Sequence, residues 1–185
     1  MLSIVVAPNT VLSEKALLVE KIDNSIKKLI SEMKETLSHT KDPEGVGLAA
    51  PQVGRSLRIF IIKPDKNAGV EVFINPEITE IKKQIIINEK DKIKKKRLSK
   101  LEGCLSLPTI WGPVNRENKL STTYMDEGGK QKTKIFSGFS AIIIQHEMDH
   151  LDGILFPKRV LEQKGILYKS HKNEKNEDIF EELEI

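Results

Sequence analysis

The chain has one cysteine, Cys104, among 185 residues, so an intrachain disulfide is excluded. A lone thiol sits most easily in a reducing compartment, either as an inert buried group or as a chemical one. Long apolar runs are missing too. None approaches the ~20 residues of a membrane span, so no membrane partner is expected. The opening "MLSIVVAP" lacks the basic start and long apolar core of a secretory signal. Neither sign of charge dominates: 30 Lys and Arg face 27 Asp and Glu, for a net charge of +3. That balance gives no argument for nucleic acid, and direct DNA binding is not expected. What remains, with 38% hydrophobic and 31% charged residues, is a soluble globular chain without internal repeats, long enough to bury a real core.

Residues 23–38 place Ile26, Leu29, Ile30, Met33 and Leu37 at helical spacing behind a capping Asp23 or Asn24. A Gly- and Pro-rich loop, "HTKDPEGVGLAAPQVG", follows. Strands are expected at 57–63 and 70–76, with a third at 78–87. A hairpin is expected from "KLSTTYMD" and "KQKTKIF", turning at Asp126 to Gly129. "SGFSAIIIQHEMDHLDG" is unbroken for long enough to favour a helix, started by Ser137 or Ser140 and ended by Gly153. Strands followed by a helix give an α+β fold class, mostly antiparallel β-sheets packed around this central helix. The domain expectation is a catalytic unit over 1–165 and a polar, acidic tail over 166–185, mobile or a short helix. Two segments are biased: 90–100 has seven basic residues and one acidic, and 174–185 has six acidic and one basic. Solvated edges or ends explain both most simply.

On a helix, His146 and His150 share a face, four residues apart, and form a metal clamp. Glu147 is one position round, close enough to serve a water there without occupying the metal. Three isoleucines just before them speak against a surface helix with chance histidines. A catalytic site of this kind wants a third protein ligand. His39 ends the first helix, where a favourable interaction with the helix terminus explains it. His171 lies in the polar tail. Cys104, in "EGCLSLP", offers a thiolate beside a glycine that permits close approach, and is the best third ligand. "GVGLAAPQ", Gly45 to Gln52, lets backbone come close to something but lacks the pattern of a phosphate loop.

Together and in this order, "GVGLAAPQ", "EGCLSLP" and "QHEMDHLDG" resemble the three signature motifs of peptide deformylases, with looser similarity from about residue 3 to 160. The resemblance implies one divalent metal per chain, held by Cys104, His146 and His150. The native metal of the family is commonly Fe2+, which Zn2+, Ni2+ or Co2+ can replace. It implies removal of the formyl group from N-formylmethionyl nascent peptides, releasing formate. Glu147 would carry the proton, while Gln52 through its side chain and Leu105 through its backbone N–H would stabilise the oxyanion. Val46, Leu48, Phe139, Ile142 and Ile143 would line the methionine pocket, and Val46 and Gly47 would bind the peptide main chain. Glu102 is expected to orient His146 or pair with Arg116 rather than sit at the surface. Asp149 is expected as an exposed helix charge. Trp111 either rims the cleft or covers core. The setting would be a bacterial cytoplasm, or an organelle if a transit peptide was removed. Some bacterial members dock transiently on the ribosome through a basic C-terminal helix, which this acidic tail does not offer.

Two other classes share features. A zincin-type metallopeptidase also carries His-Glu-x-x-His, but needs a downstream third ligand, for which His171, Glu162 and the tail glutamates are poor candidates. A non-catalytic protein binding peptide termini on the same scaffold would have no use for an intact Glu147 and Gln52.

Overall fold

The structure, a computed structural model of the chain, describes residues 1–40, 44–81, 101–175 and 177–184. The basic segment 90–100 and residues 82–87 of the third expected strand lie outside the described residues.

Helix α1 (Asn24–His39) begins where expected. The Asp23 carboxylate accepts the backbone N–H groups of Ser25 and Ile26, and the predicted apolar stripe is buried. Next come β1 (Gly47–Ala49), a 3-10 turn (Ala50–Val53), β2 (Ile59–Ile62), β3 (Glu71–Ile81), β4 (Leu101–Cys104), β5 (Leu107–Pro113), β6 (Lys119–Met125) and β7 (Gln131–Ser137). Helices α2 (Phe139–Leu151) and α3 (Phe156–Glu162) follow, then β8 (Tyr168–Lys172) and β9 (Asp178–Glu182). Five strands form one sheet, in the order β1-β2-β3-β6-β7, and four form a second, β4-β5-β8-β9. The described strand pairs are antiparallel. The α+β class therefore holds.

Strand β2, Ile-Phe-Ile-Ile, explains the layering. Its side chains alternate across the sheet. Ile59 and Ile61 face α1 with Leu29, Ile30 and Met33. Phe60 and Ile62 face α2 with Ile143, Ile144 and Leu151. All four are buried because a helix covers each face. The smaller sheet packs on α3 through Val114, Phe156, Val160 and Leu167, next to Cys104.

Three expectations change. The strands at 70–76 and 78–87 are, as far as described, one strand, β3, with a register break between Ile74 and Glu77. The bulge absorbs Asn75, at φ 49°, and Pro76, which has no N–H to give the ladder. Asn75 is held there by two hydrogen bonds of 2.9 Å to the backbone of Val19. Neither Ser137 nor Ser140 caps α2. Gly138 does, at φ 62° without a side-chain bond, while its N–H donates to the Asn118 carbonyl. Gly153 ends the helix as anticipated, at φ 68°, and a Cβ there would lie 2.6 Å from the Ser13 carbonyl oxygen. The described residues after 165, expected as a polar tail or a short helix, carry strands β8 and β9, paired as a hairpin and added to β5. Leu167 and Leu183 anchor it on the third core, and opposed charges such as Lys172 and Asp178, 2.9 Å apart, line its strands.

Candidate active site

Helix α2 lies against β1, β2 and β7, so its inner face meets the 3-10 turn and the end of β4. That meeting brings together residues far apart in sequence. Cys104 Sγ lies 3.1 Å from His150 Nε2. The ligand atoms of Cys104, His146 and His150 all lie within 4.8 Å of one another. A tetrahedral ion with bonds of roughly 2.0–2.3 Å spans separations of this size. One thiolate and two imidazoles are a donor set suited to a first-row transition metal. Among the described residues this is the group able to hold one. The other candidates are elsewhere: His39 Nδ1 is 2.8 Å from the Glu35 carbonyl oxygen, and His171 on β8 faces Glu181 at 3.8 Å.

A chain of charges fixes the first imidazole. His146 Nδ1 lies 3.0 Å from Glu102, leaving Nε2 for the cluster. Arg116 grips Glu102 with both Nε (2.9 Å) and Nη2 (3.0 Å), and reaches Asp149 with Nη1 at 2.6 Å. Arg159 from α3 closes on the other side of Asp149 at 2.7 Å. Asp149 is thus buried and doubly paired, not an exposed helix charge. It lies one turn after His146, and two arginines from other segments close over it. Burial pushes Glu102 up, but His146 and Arg116 outweigh it and hold the carboxylate down at about 2. Burial likewise opposes ionisation of Cys104, yet His150 and His146 hold the thiol well below its usual range.

Glu147 is buried among these groups, and its Oε2 has no hydrogen-bond partner. Burial raises its carboxyl to about 7, against the pull of His146 and His150. The carboxylate sits on the bare Cα of Gly47 in β1: a Cβ there would be 2.9 Å from Glu147 Cδ and 2.8 Å from Ile143 Cγ2. Gln52 is also buried. Its carbonyl oxygen accepts the Ala49 N–H at 2.8 Å, so its amide nitrogen is turned toward Cys104 Sγ and Ser106 Oγ, 3.4 Å from each.

These groups open onto a cleft of about 250 Å³. Val46, Gly47, Phe139, Ile142 and Ile143 line it, as do Leu105, Trp111, Leu101 and Val114. Trp111 is thus a wall of the cleft. Leu48 is the exception among the expected pocket residues. It is fully buried in the core beside α1, because β1 turns alternate residues to opposite faces and Gly47 and Ala49 take the α2 side. Sequence reasoning missed Asp149, Arg159 and Ser106; only the pairing of two distant arginines with one helix acid signals the first two.

A buried carboxylate beside one thiol and two imidazoles able to hold a metal, at the foot of an apolar cleft, fits a metal-dependent hydrolase. The comparisons narrow the class. The polypeptide deformylase family model matches residues 1–165. The chain is 40% identical over 156 residues to the peptide deformylase of Dictyoglomus turgidum, covering 84% of this chain and 90% of that one. It is 36% identical over 153 residues to the peptide deformylase of Synechocystis, covering 81% and 74%. The crystal structure of the Thermotoga maritima peptide deformylase superposes with a TM-score of 0.73 at 36% identity, covering 86% and 97%. That of Synechococcus elongatus, in complex with actinonin, gives 0.72 at 33%, covering 85% and 78%. The chain belongs to the polypeptide deformylase family. Its activity is hydrolytic removal of the formyl group from the N-terminal formyl-methionine of new polypeptides, and its family is metal-dependent. The peptidase and silent-binder readings are not favoured.

Proposed function

We propose that Cys104, His146 and His150 hold one divalent metal, Fe2+ natively with Zn2+, Ni2+ or Co2+ able to replace it, and that Glu147 moves the proton of deformylation. The observation that carries this reading is Glu147 itself, buried beside the cluster with its Oε2 unpartnered and its carboxylate seated over Gly47. The metal supplies Lewis acidity, which makes water nucleophilic near neutral pH. Glu147 accepts the proton of the attacking water and returns it to the departing amine nitrogen. The Gln52 amide, turned inward by the Ala49 N–H, donates to the developing oxyanion together with the Leu105 backbone N–H. One such donor is worth about 3 kcal/mol. Glu102 and Arg116 keep His146 in the tautomer that presents Nε2.

Val46, Phe139, Ile142 and Ile143 form the methionine pocket, without Leu48. Strand β1 ends its sheet in the described order, so Val46 and Gly47 can take the peptide main chain as an added strand. The catalytic unit is assigned to 1–165, in a bacterial cytoplasm or an organelle where formylated chains arise. Ribosome contact is assigned as transient and away from the C-terminal hairpin, whose outer strand is acidic. The test is anaerobic purification with metal analysis, then formate release from formyl-Met-Ala. Metal-replete Glu147→Ala should keep its metal and lose at least the ~10²–10⁴-fold typical of general acid–base catalysis. A loss under tenfold means another group carries the proton.

A further inference from the structure

The β8–β9 hairpin lies beyond the 165 residues that match the family model, yet it touches a residue of the cleft wall. Its route is Trp111. This residue stands on β5 opposite Gly103 on one side and Tyr168 of β8 on the other. Directly paired residues share a face of the sheet. Gly103, Trp111, Tyr168, Ser170 and Phe180 therefore lie on one continuous face running outward from Cys104. On its inner side the indole rests on Gly103, where a Cβ would lie 2.7 Å from the ring. On its outer side two hairpin residues fix it. Its Nε1–H donates to Ser170 Oγ at 2.9 Å, and Phe180 meets it edge-on, centroids 5.8 Å apart at 86°. An indole free at its outer edge would swing; here the hairpin holds it flat against the cleft wall. Phe180 remains 41% exposed, so the aromatic surface continues past Trp111.

We propose that the C-terminal hairpin is part of the substrate cleft, with Ser170 and Phe180 as positioning residues that hold Trp111 as a platform for peptide residues after the second. The inference rests on the deformylase reading. A peptide whose formyl end is at Cys104 and Glu147, leaving over the β4–β5 side, crosses Trp111 and then Phe180. The hairpin therefore selects for apolar or aromatic side chains at that distance and is indifferent to a dipeptide too short to reach it.

The test compares kcat/KM for formyl-Met-Ala, formyl-Met-Ala-Gly-Gly and formyl-Met-Ala-Phe-Ala in wild type, Ser170→Ala, Ser170→Thr and Phe180→Ala. The preference for the Phe peptide over the Gly peptide should fall roughly three- to tenfold in both alanine variants, the size of one aromatic contact. The change should appear in KM, and Ser170→Thr, which keeps the hydroxyl, should retain the preference. Trp111 is the chain's only tryptophan, so its emission reports the same event. Quenching by the product peptide Met-Ala-Phe-Ala should weaken in the alanine variants. An unchanged preference in folded variants, or an equal loss on all three substrates, overturns the proposal. If Phe180→Ala does not fold, Ser170→Ala against Ser170→Thr decides. Should wild type turn over none of the formyl peptides, the proposed chemistry fails on its own account, and the fluorescence titration still decides whether the hairpin shapes peptide binding.

Discussion

Gly47→Ala is the most discriminating single change the site offers. The new methyl carbon would lie 2.9 Å from Glu147 Cδ. Ordinary carbon contacts fall at about 3.5–4.0 Å, so the carboxylate must withdraw by roughly 0.6–1.1 Å. Ile143, whose Cγ2 would be 2.8 Å away, blocks relief in the other direction. A displacement of about 1 Å in a reacting group costs on the order of 10²-fold. Metal content should stay at the wild-type level, since none of the three proposed ligands, Cys104, His146 and His150, is touched. Gly47 also belongs to the strand assigned to peptide binding, so a loss by itself is ambiguous. A double-mutant cycle separates the causes. If the methyl acts by displacing the carboxylate, Gly47→Ala should cost little in a Glu147→Ala background, where the displaced group is gone. If it acts by blocking the peptide, the same loss should recur there, mainly in KM. The assay is formate release from formyl-Met-Ala by metal-quantified protein. A wild-type rate for Gly47→Ala, or full additivity in the cycle, refutes the reasoning.

Three other outcomes are expected. Cys104→Ala should lose most of its metal, and chelation of wild type should lower its Tm, because binding to the native state alone stabilises it; stoichiometric metal in purified Cys104→Ala would remove the thiolate from the ligand set. The proposed methionine pocket is lined by apolar residues, and such pockets discriminate by ~1–3 kcal/mol per methylene. Formyl-Met peptides should therefore clearly outperform formyl-Ala peptides, and formyl-norleucine should come close; equal kcat/KM for Met and Ala argues against the pocket. Arg116→Met removes the partner that Glu102 and Asp149 share, leaving them His146 and Arg159, and should destabilise by up to about 3–5 kcal/mol in urea denaturation. It should also weaken metal affinity by roughly 10–100-fold. Unchanged stability would mean that the pairs contribute nothing net.

Some parts of this architecture can be read from the chain directly, because one local pattern carries them. The i, i+4 histidines and the apolar stripe of α1 are such cases, as is the turn at Asp126 to Gly129. The rest depends on long-range packing. β1 is three residues long, too short for its period to show that Leu48 faces α1 while Gly47 faces Glu147. Asp149 reads as a surface charge until Arg116 and Arg159 arrive from other segments. The tail looks like a solvated end because β8 and β9 contribute few buried side chains; what orders them is an edge on β5 and the contact with Trp111.

The burial of β2 on both faces also has a consequence for synthesis. Within "LRIFIIK", Ile59 to Ile62 is a short, uncharged, β-prone run between Arg58 and Lys63, the composition of an aggregation-prone segment with a charged gatekeeper at each end. Its backbone partners β1 and β3 lie close in sequence, and α1 precedes it, so one face can be covered early. The other face, Phe60 and Ile62, waits for α2, which starts 77 residues after Ile62. At ribosomal speeds of about 5–20 residues per second, that is roughly 4–15 s. During that interval the growing chain displays an uncovered aromatic sheet face. The helix that carries His146 and His150 is therefore also the one that closes this window, so assembly of the candidate site and protection from self-association are completed together.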